Sequence, residues 1–329
     1  MHERIFVVRA SHAIAIKNAI STLGLDADKL LAQVELEPSQ LENPNNLILE
    51  QPVWHLFDVA AKELNIEHVG FLITKQLTID SYGTFGQLLR QANNLKQALK
   101  IFIEQVNVHT NYLNYWLENR DGYLWVCRKG TPGIERGKWQ VEQHIVSFII
   151  ELIRTYISKD WFPEFIEFQQ TQIKGVEFAT GLSKSNISKG NTYTAISIAL
   201  DDLAIQTKYT VKETVNVHPL KKVPISFLST LQTLLEQGYF NSNLTASHIA
   251  SSLNIPDRKL QRILAQHKTT LNKLINAHKY HQAKALLTQG KYSNQEISSQ
   301  LGYSNVNNFY RAFKIWHGAS TKHFIANKS

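Results

Sequence analysis

The chain has 329 residues, 43% of them hydrophobic, with 35 Lys+Arg against 27 Asp+Glu and a single cysteine. That length exceeds one ordinary core and points to two domains, and that hydrophobic content excludes a disordered chain. Cys127 alone excludes an intramolecular disulfide and fits a reducing cytoplasm; the longest apolar runs, such as VSFIIELI at 146–153, are far too short for a membrane span.

In chain order, MHERIFVVRASHAIAIK interrupts its apolar residues with Arg9, His12 and Lys17, which argues against a secretory signal. HAIAIKNAISTLGL reads as a helix ending at Gly24, and Asp26 is placed to cap ADKLLAQV. PVWHLFDVAAKELN carries Pro52 in a first turn and a stripe of Val53, Leu56, Phe57, Ala60 and Leu64. GTFGQLLRQA and NLKQALKIFIEQVNVH follow, the second capped by Asn94. The period then changes. NYLNYWLENRDGYLWVCRKG alternates about an Arg-Asp-Gly turn, as a β-hairpin does. WQVEQHIVSFIIELIRTYIS predicts a long amphipathic helix, FPEFIEFQQ a short strand, and residues 170–200 strands and loops. The portion 1–210 is therefore expected to be α+β. Two prolines and a lost helical pattern place a linker at 211–224.

From Ile225 onward every strong signal is helical, predicting an all-α domain over 225–329. Two of its helix pairs are one unit written twice. Ile249, Leu253 and Ile255 match Ile297, Leu301 and Tyr303 at an offset of 48, and Leu260, Arg262 and Leu264 match Phe309, Arg311 and Phe313 at 49. Each copy reads as a helix-turn-helix, at about 245–265 and 294–316, with a turn beginning near Asn254 or Gly302. The helix linking them spans about eighteen residues, or ~27 Å, a separation suited to major-groove faces one turn of ~34 Å apart. Charge follows the same division: residues 241–329 hold twelve Lys+Arg and two acids, a net +10, while residues 1–240 carry −2. Such a density is an electrostatic footprint for a polyanion, here double-stranded DNA.

The residues 225–329 resemble the DNA-binding domain of the AraC/XylS transcription regulators, and LGYSNVNNFYRAFKIWHGAS follows that family's second helix-turn-helix signature nearly residue for residue. The chain departs from the family at Lys279, where arginine is common, at Thr321, where proline is common, and near Ile325, where an arginine is usual. Residues 20–205 resemble the family's arabinose-binding type of sensor domain through LGLDADKLLAQ, GTFGQLLRQANNLKQAL and DWFPEFIEF. The resemblance implies a cytoplasmic bacterial regulator, by family habit an activator, that acts through RNA polymerase and carries an effector-sensing or dimerising N-terminal domain. An effector-blind dimeric DNA binder is the alternative. A DNA-repair enzyme fused to a DNA-binding module is another, and it would need Cys127 to be reactive.

Arg258, Lys259, Gln261 and Arg262 in the first unit, and Asn307, Asn308, Arg311 and Lys314 in the second, are the candidate DNA contacts. Asparagine pairs bidentately with adenine, and arginine reads guanine or holds phosphate. In the N-terminal domain Tyr82, Phe85, Trp116 and Trp125 are candidate pocket aromatics, and Arg90, Arg128, Lys221 or Lys222 a candidate cation for a carboxylate or fatty-acid effector. Lys221 and Lys222, in the linker region, are placed to couple ligand to domain arrangement. His278, His281, His317 and His323 lack a Cys or acidic cluster for a metal, and no catalytic or cofactor motif occurs.

Overall fold

Helical spacing of Ala13, Ile16, Ala19 and Ile20, all buried, makes α1 (Ala10–Thr22), and Gly24, at φ +83°, turns the chain out of it. Asp26 caps α2 (Ala27–Gln33) by accepting the Lys29 N–H at 3.0 Å. Next come α3 (Glu50–Leu64), α4 (Val69–Lys75), α5 (Thr84–Arg90) and α6 (Leu95–Gln105), the last capped by the Asn94 side chain. Two elements in this stretch have no counterpart in the sequence reading. Strands β1 (Val7–Arg9) and β2 (Leu47–Leu49) pair antiparallel, Val7 opposite Leu49. Three buried residues each are too few to display a period of two.

The Asp121-Gly122 pair, at φ +53° and +81°, closes the hairpin of β3 (Tyr115–Arg120) and β4 (Tyr123–Arg128). After the long α7 (Lys138–Tyr156) come β5 (Phe165–Glu167), β6 (Asn186–Ser188), β7 (Thr194–Ala199) and the short α8 (Leu200–Leu203). The sheet order is β3-β4-β7-β5-β6, antiparallel except for β5–β6, so the last strand fills the centre. Val126, Ile166, Ile196 and Ile198 pack against α7 and the other helices. The opposite face is covered by Trp116, Tyr123, Trp125, Phe165 and Tyr193 around Cys127. Gly70 lets α4 approach α7 closely: a Cβ there would lie 2.0 Å from the Gln140 carbonyl oxygen.

The computed structural model describes residues 4–112, 114–179, 181–203, 221–240 and 244–326, and the chain divides into two compact units, Met1–Ser226 and Phe227–Ser329. Of the expected linker, 211–220 lies outside the described residues, and 221–224 belongs to the first unit. The second unit consists of helices: α9 (Phe227–Glu236), α10 (Ala246–Ser252), α11 (Asp257–Gln266), α12 (Leu271–Gln289), α13 (Asn294–Gln300), α14 (Val306–His317) and α15 (Thr321–Ala326). An α+β unit followed by a helical one is the architecture the periodicities predict.

Candidate nucleic-acid interface and ligand cavity

The duplication extends to the backbone. Thr245 and Ser293, 48 residues apart, cap α10 and α13 by accepting the N–H three residues on. Both helices then end alike. Asn254 N–H donates to Ser251 O at 2.8 Å and Ile255 N–H to Ala250 O at 3.0 Å; Gly302 N–H donates to Ser299 O and Tyr303 N–H to Ser298 O, both at 3.0 Å. Asn254 and Gly302 take the left-handed conformation that this termination needs.

Each second helix is anchored by its buried pair, Leu260 and Leu264 in α11, Phe309 and Phe313 in α14. At about 100° per residue, Arg262 and Arg311 stand directly opposite those pairs, with Arg258, Lys259, Asn307, Asn308 and Lys314 within about 60° of the same direction. Gln261 falls on the flank, at the position of Tyr310 in the second unit. Arg258, Gln261, Arg262, Asn307, Arg311 and Lys314 are exposed, whereas Lys259 and Asn308 are half-buried. Among the described residues, Arg258, Arg262, Arg311 and Lys314 make no ion pair within 4.0 Å. Asn308 is engaged locally, its amide donating to Ser304 Oγ at 3.2 Å. Ile315, 81% exposed, shares the cationic face of α14, a neighbour the sequence reading passed over.

The departures from the family pattern have local explanations. Lys279 lies with its ammonium 4.7 Å from the Tyr303 ring centroid, a cation–π contact joining α12 to the second turn, and burial lowers its pKa. Thr321 is buried at the start of α15, and Ile325 is exposed. His317 Nδ1 shares a hydrogen bond of 2.7 Å with the Tyr280 hydroxyl, a packing role.

In the first unit, a cavity of about 80 Å³ opens among α1, α3, the residues after α6, β4 and α7. Its walls are largely aromatic, with Trp54, Phe57, Tyr82, Phe85, Phe102, Tyr115 and Phe148, and three histidines, His12, His109 and His144, meet in it. The His12 ring lies 5.4 Å from that of His109 and 5.3 Å from that of His144. Burial lowers the pKa of all three, His12 to about 4, and the charge of His12 lowers His109 and His144 further, so the cluster is neutral at neutral pH. His144 is satisfied by Thr74 Oγ1 at 2.8 Å and the Tyr82 hydroxyl at 3.3 Å. Among the described residues, His12 Nδ1, His109 Nε2 and Glu50 Oε2 are buried without a hydrogen-bond partner. Glu50 accepts through Oε1 from Trp54 Nε1 at 3.1 Å and Thr131 Oγ1 at 3.0 Å, and burial raises its pKa.

Arg128 also lines the cavity, with its guanidinium carbon 5.7 Å from the Trp54 ring centroid and 6.0 Å from that of Tyr115. It is buried, and among the described residues no carboxylate pairs with it within 4.0 Å. Of the sequence candidates the cavity thus gathers Tyr82, Phe85 and Arg128. The others lie elsewhere. Trp116 and Trp125 cover the opposite face of the sheet. Arg90 pairs with Asp80 at the surface. Lys221 and Lys222 are exposed, and Lys221 enters the structure through its carbonyl, which accepts from Arg9. Glu50 and the three histidines were missed because no local motif joins them.

Two family models agree with this division. Residues 24–182 match the model of the N-terminal arabinose-binding domain of AraC transcription regulators, and residues 249–327 match a helix-turn-helix domain model. Two HTH-type transcriptional regulators, Mb1430 of Mycobacterium bovis and Rv1395 of Mycobacterium tuberculosis, are each 31% identical over 80 residues, 24% of this chain. The match spans 23% of the length of either relative. Among solved structures, the transcriptional regulator CdpR from Pseudomonas aeruginosa aligns over 91% of this chain and 96% of its own, at 14% identity and a TM-score of 0.39. A DNA-binding transcriptional dual regulator from Escherichia coli K-12 aligns over 30% of this chain and 90% of its own, at 21% identity and a TM-score of 0.27. With an arabinose-binding-type domain ahead of a duplicated helix-turn-helix, the chain belongs to the AraC/XylS family of transcription regulators.

Proposed function

We propose that the chain is a cytoplasmic, DNA-binding transcription activator whose N-terminal cavity binds a small carboxylate and whose occupancy alters DNA affinity. The observation that carries the DNA reading is the matched pair Arg262 and Arg311, exposed and opposite the buried anchors of two equivalent helices. Inserted in successive major grooves, α11 and α14 read base edges with Asn307, Asn308, Gln261 and Arg258, while Lys259 and Lys314 hold phosphates. RNA polymerase is the partner on the promoter, and a homodimer would place two such modules on a longer operator.

The cation for the effector is Arg128, a buried guanidinium that lines the cavity and, among the described residues, has no carboxylate within 4.0 Å, the carboxylates of Glu50 and Glu142 acting on it from farther off. The cavity limits the size of that anion. The present volume of about 80 Å³ suits a short carboxylate such as acetate or propionate. His12, His109 and Glu50 offer hydrogen bonds to a second polar group on the ligand.

The test is selection of a binding site from a random duplex pool with the full chain, followed by affinity measurement with and without acetate, propionate and glycine. Sequence-selective binding that changes with one of these ligands is the expected result. Binding without selectivity refutes the DNA reading, and selective binding unaffected by any carboxylate leaves a constitutive binder.

A further inference from the structure

Residues 106–111 form a strap with two working sides. On one side Val106, His109 and Thr110 line the cavity, and His109 stacks on Phe85 with ring centroids 5.1 Å apart. On the other side the strap holds residues 221–224, the last stretch before the second unit begins at Phe227. Val223 N–H donates to Asn107 O at 3.0 Å, and the Asn111 side-chain amide donates to Pro224 O at 2.9 Å and to Ile5 O at 2.7 Å. Arg9 completes the clasp. Its Nε donates to Val108 O at 2.7 Å, its Nη2 to Lys221 O at 2.6 Å, and its Nη1 to Asn45 O.

We propose that Arg9 and Asn111 are positioning residues that transmit the state of the cavity to residues 221–224, and hence to the segment leading into the DNA-binding unit. The proposal rests on the reading of the cavity as the effector site. Its physical basis is that one short strap supplies both the cavity wall and the acceptors. Arg9 and Val223 are buried, so water does not readily replace their bonds. Hydrogen bonds of this kind weaken steeply as their angle departs from linearity. A ligand that displaces His109 also displaces the carbonyls of Asn107 and Val108 beside it, and the grip on Val223 and Arg9 changes with them. Arg9 is the pivot because its three bonds reach three separate segments of chain, and lysine, with a single nitrogen, cannot reproduce that fork.

The experiment uses the full-length protein and trypsin, with cleavage after the exposed Lys221 and Lys222 followed by mass. Arg9→Gln is expected to raise that cleavage rate roughly tenfold and His109→Ala roughly fivefold, as the local opening becomes more populated. The double variant should exceed Arg9→Gln by less than about twofold, since the two changes break one path. Leu182→Ala, a core truncation outside residues 106–111 and 221–224, should lower the melting temperature without altering cleavage at these lysines. Either single variant at the wild-type rate, fully multiplicative effects, or equal acceleration by Leu182→Ala overturns the proposal. Should Arg9→Gln lose cooperative melting, Asn111→Ala replaces it, since it removes the side-chain amide that reaches Pro224 O and leaves both lysine cleavage sites intact, and the same expectations hold. Melting shifts with acetate, propionate and glycine are scored separately. Ligand binding with uncoupled cleavage sinks the strap alone; coupled cleavage with no carboxylate response sinks the effector reading alone.

Discussion

Asn254 and Gly302 occupy the same left-handed backbone position 48 residues apart, at φ +54° and +72°, and each ends the first helix of its helix-turn-helix. A side chain at Gly302 has room, since the nearest foreign atom to a Cβ is the Lys279 ammonium at 3.9 Å, so the cost of substitution is conformational. Gly302→Ala should lose about 1 kcal/mol, Gly302→Asn less, and Asn254→Gly little or nothing. Denaturant unfolding followed by helix content checks the order. An Asn254→Gly loss larger than that of Gly302→Ala would contradict the equivalence.

Arg262→Ala and Arg311→Ala should each weaken binding to the selected duplex by about 1–3 kcal/mol with the fold intact. Where the lost contact is to phosphate, the slope of log affinity against log salt falls by about 1. Titrations at several salt concentrations separate the two roles. Unchanged affinity at matched salt for both variants would remove the arginine pair from the interface.

How much of this was legible depended on how local the signal is. Asp26, Asn94 and the Asp121-Gly122 turn act within four residues, and each does what its residue type predicts. The helix-turn-helix repeat was legible because duplication supplies its own control. The cavity was not: Glu50, His12, His109 and Arg128 are brought together only by tertiary packing of separate elements. One part of the misplacement was nonetheless visible in strand parity. Residues three apart on a strand face opposite ways, so Trp125 and Arg128 could not line one pocket. Alternation fixes which residues share a face and leaves open which face is covered by helices.

Arg128→Met should abolish stabilisation by propionate and also lower the ligand-free melting temperature, because it takes away the cation whose charge holds down the pKa of the Glu50 and Glu142 carboxyls. Thermal melts with and without propionate measure both. Arg90→Met, which removes a surface cation paired with Asp80, should leave the response intact.

Stability of the first unit should fall with acid. His12 titrates near 6.5 when unfolded and at about 4 when folded, and His109 and His144 are lowered as well. As pH drops below 6.5 the unfolded chain takes up protons that the folded cavity refuses, so the histidines lower stability progressively from pH 6.5 toward 4. His12 alone contributes on the order of 3 kcal/mol to that decline. Glu50 and Glu142, raised by burial, act in the opposite sense and offset part of it. His12→Gln should flatten the melting temperature between pH 6.5 and 4.5; a profile as steep as the parent's would contradict the assignment.

Cys127 should not react with a thiol reagent at pH 8 while the protein is folded. It lies fully buried on β4, and burial together with the Glu118 carboxylate pushes its thiol up to about 12. Rapid native-state modification would reopen the repair-enzyme alternative, and modification that tracks unfolding would support the regulator.

The order β3-β4-β7-β5-β6 has a consequence for biosynthesis. Until Thr194–Ala199 leaves the ribosome, β4 and β5 each present a bare hydrogen-bonding edge, and the hydrophobic side of the half-built sheet has no middle. Truncations ending before Thr194 should therefore accumulate as aggregates in the cell, whereas those ending just beyond Leu203 should yield recoverable protein.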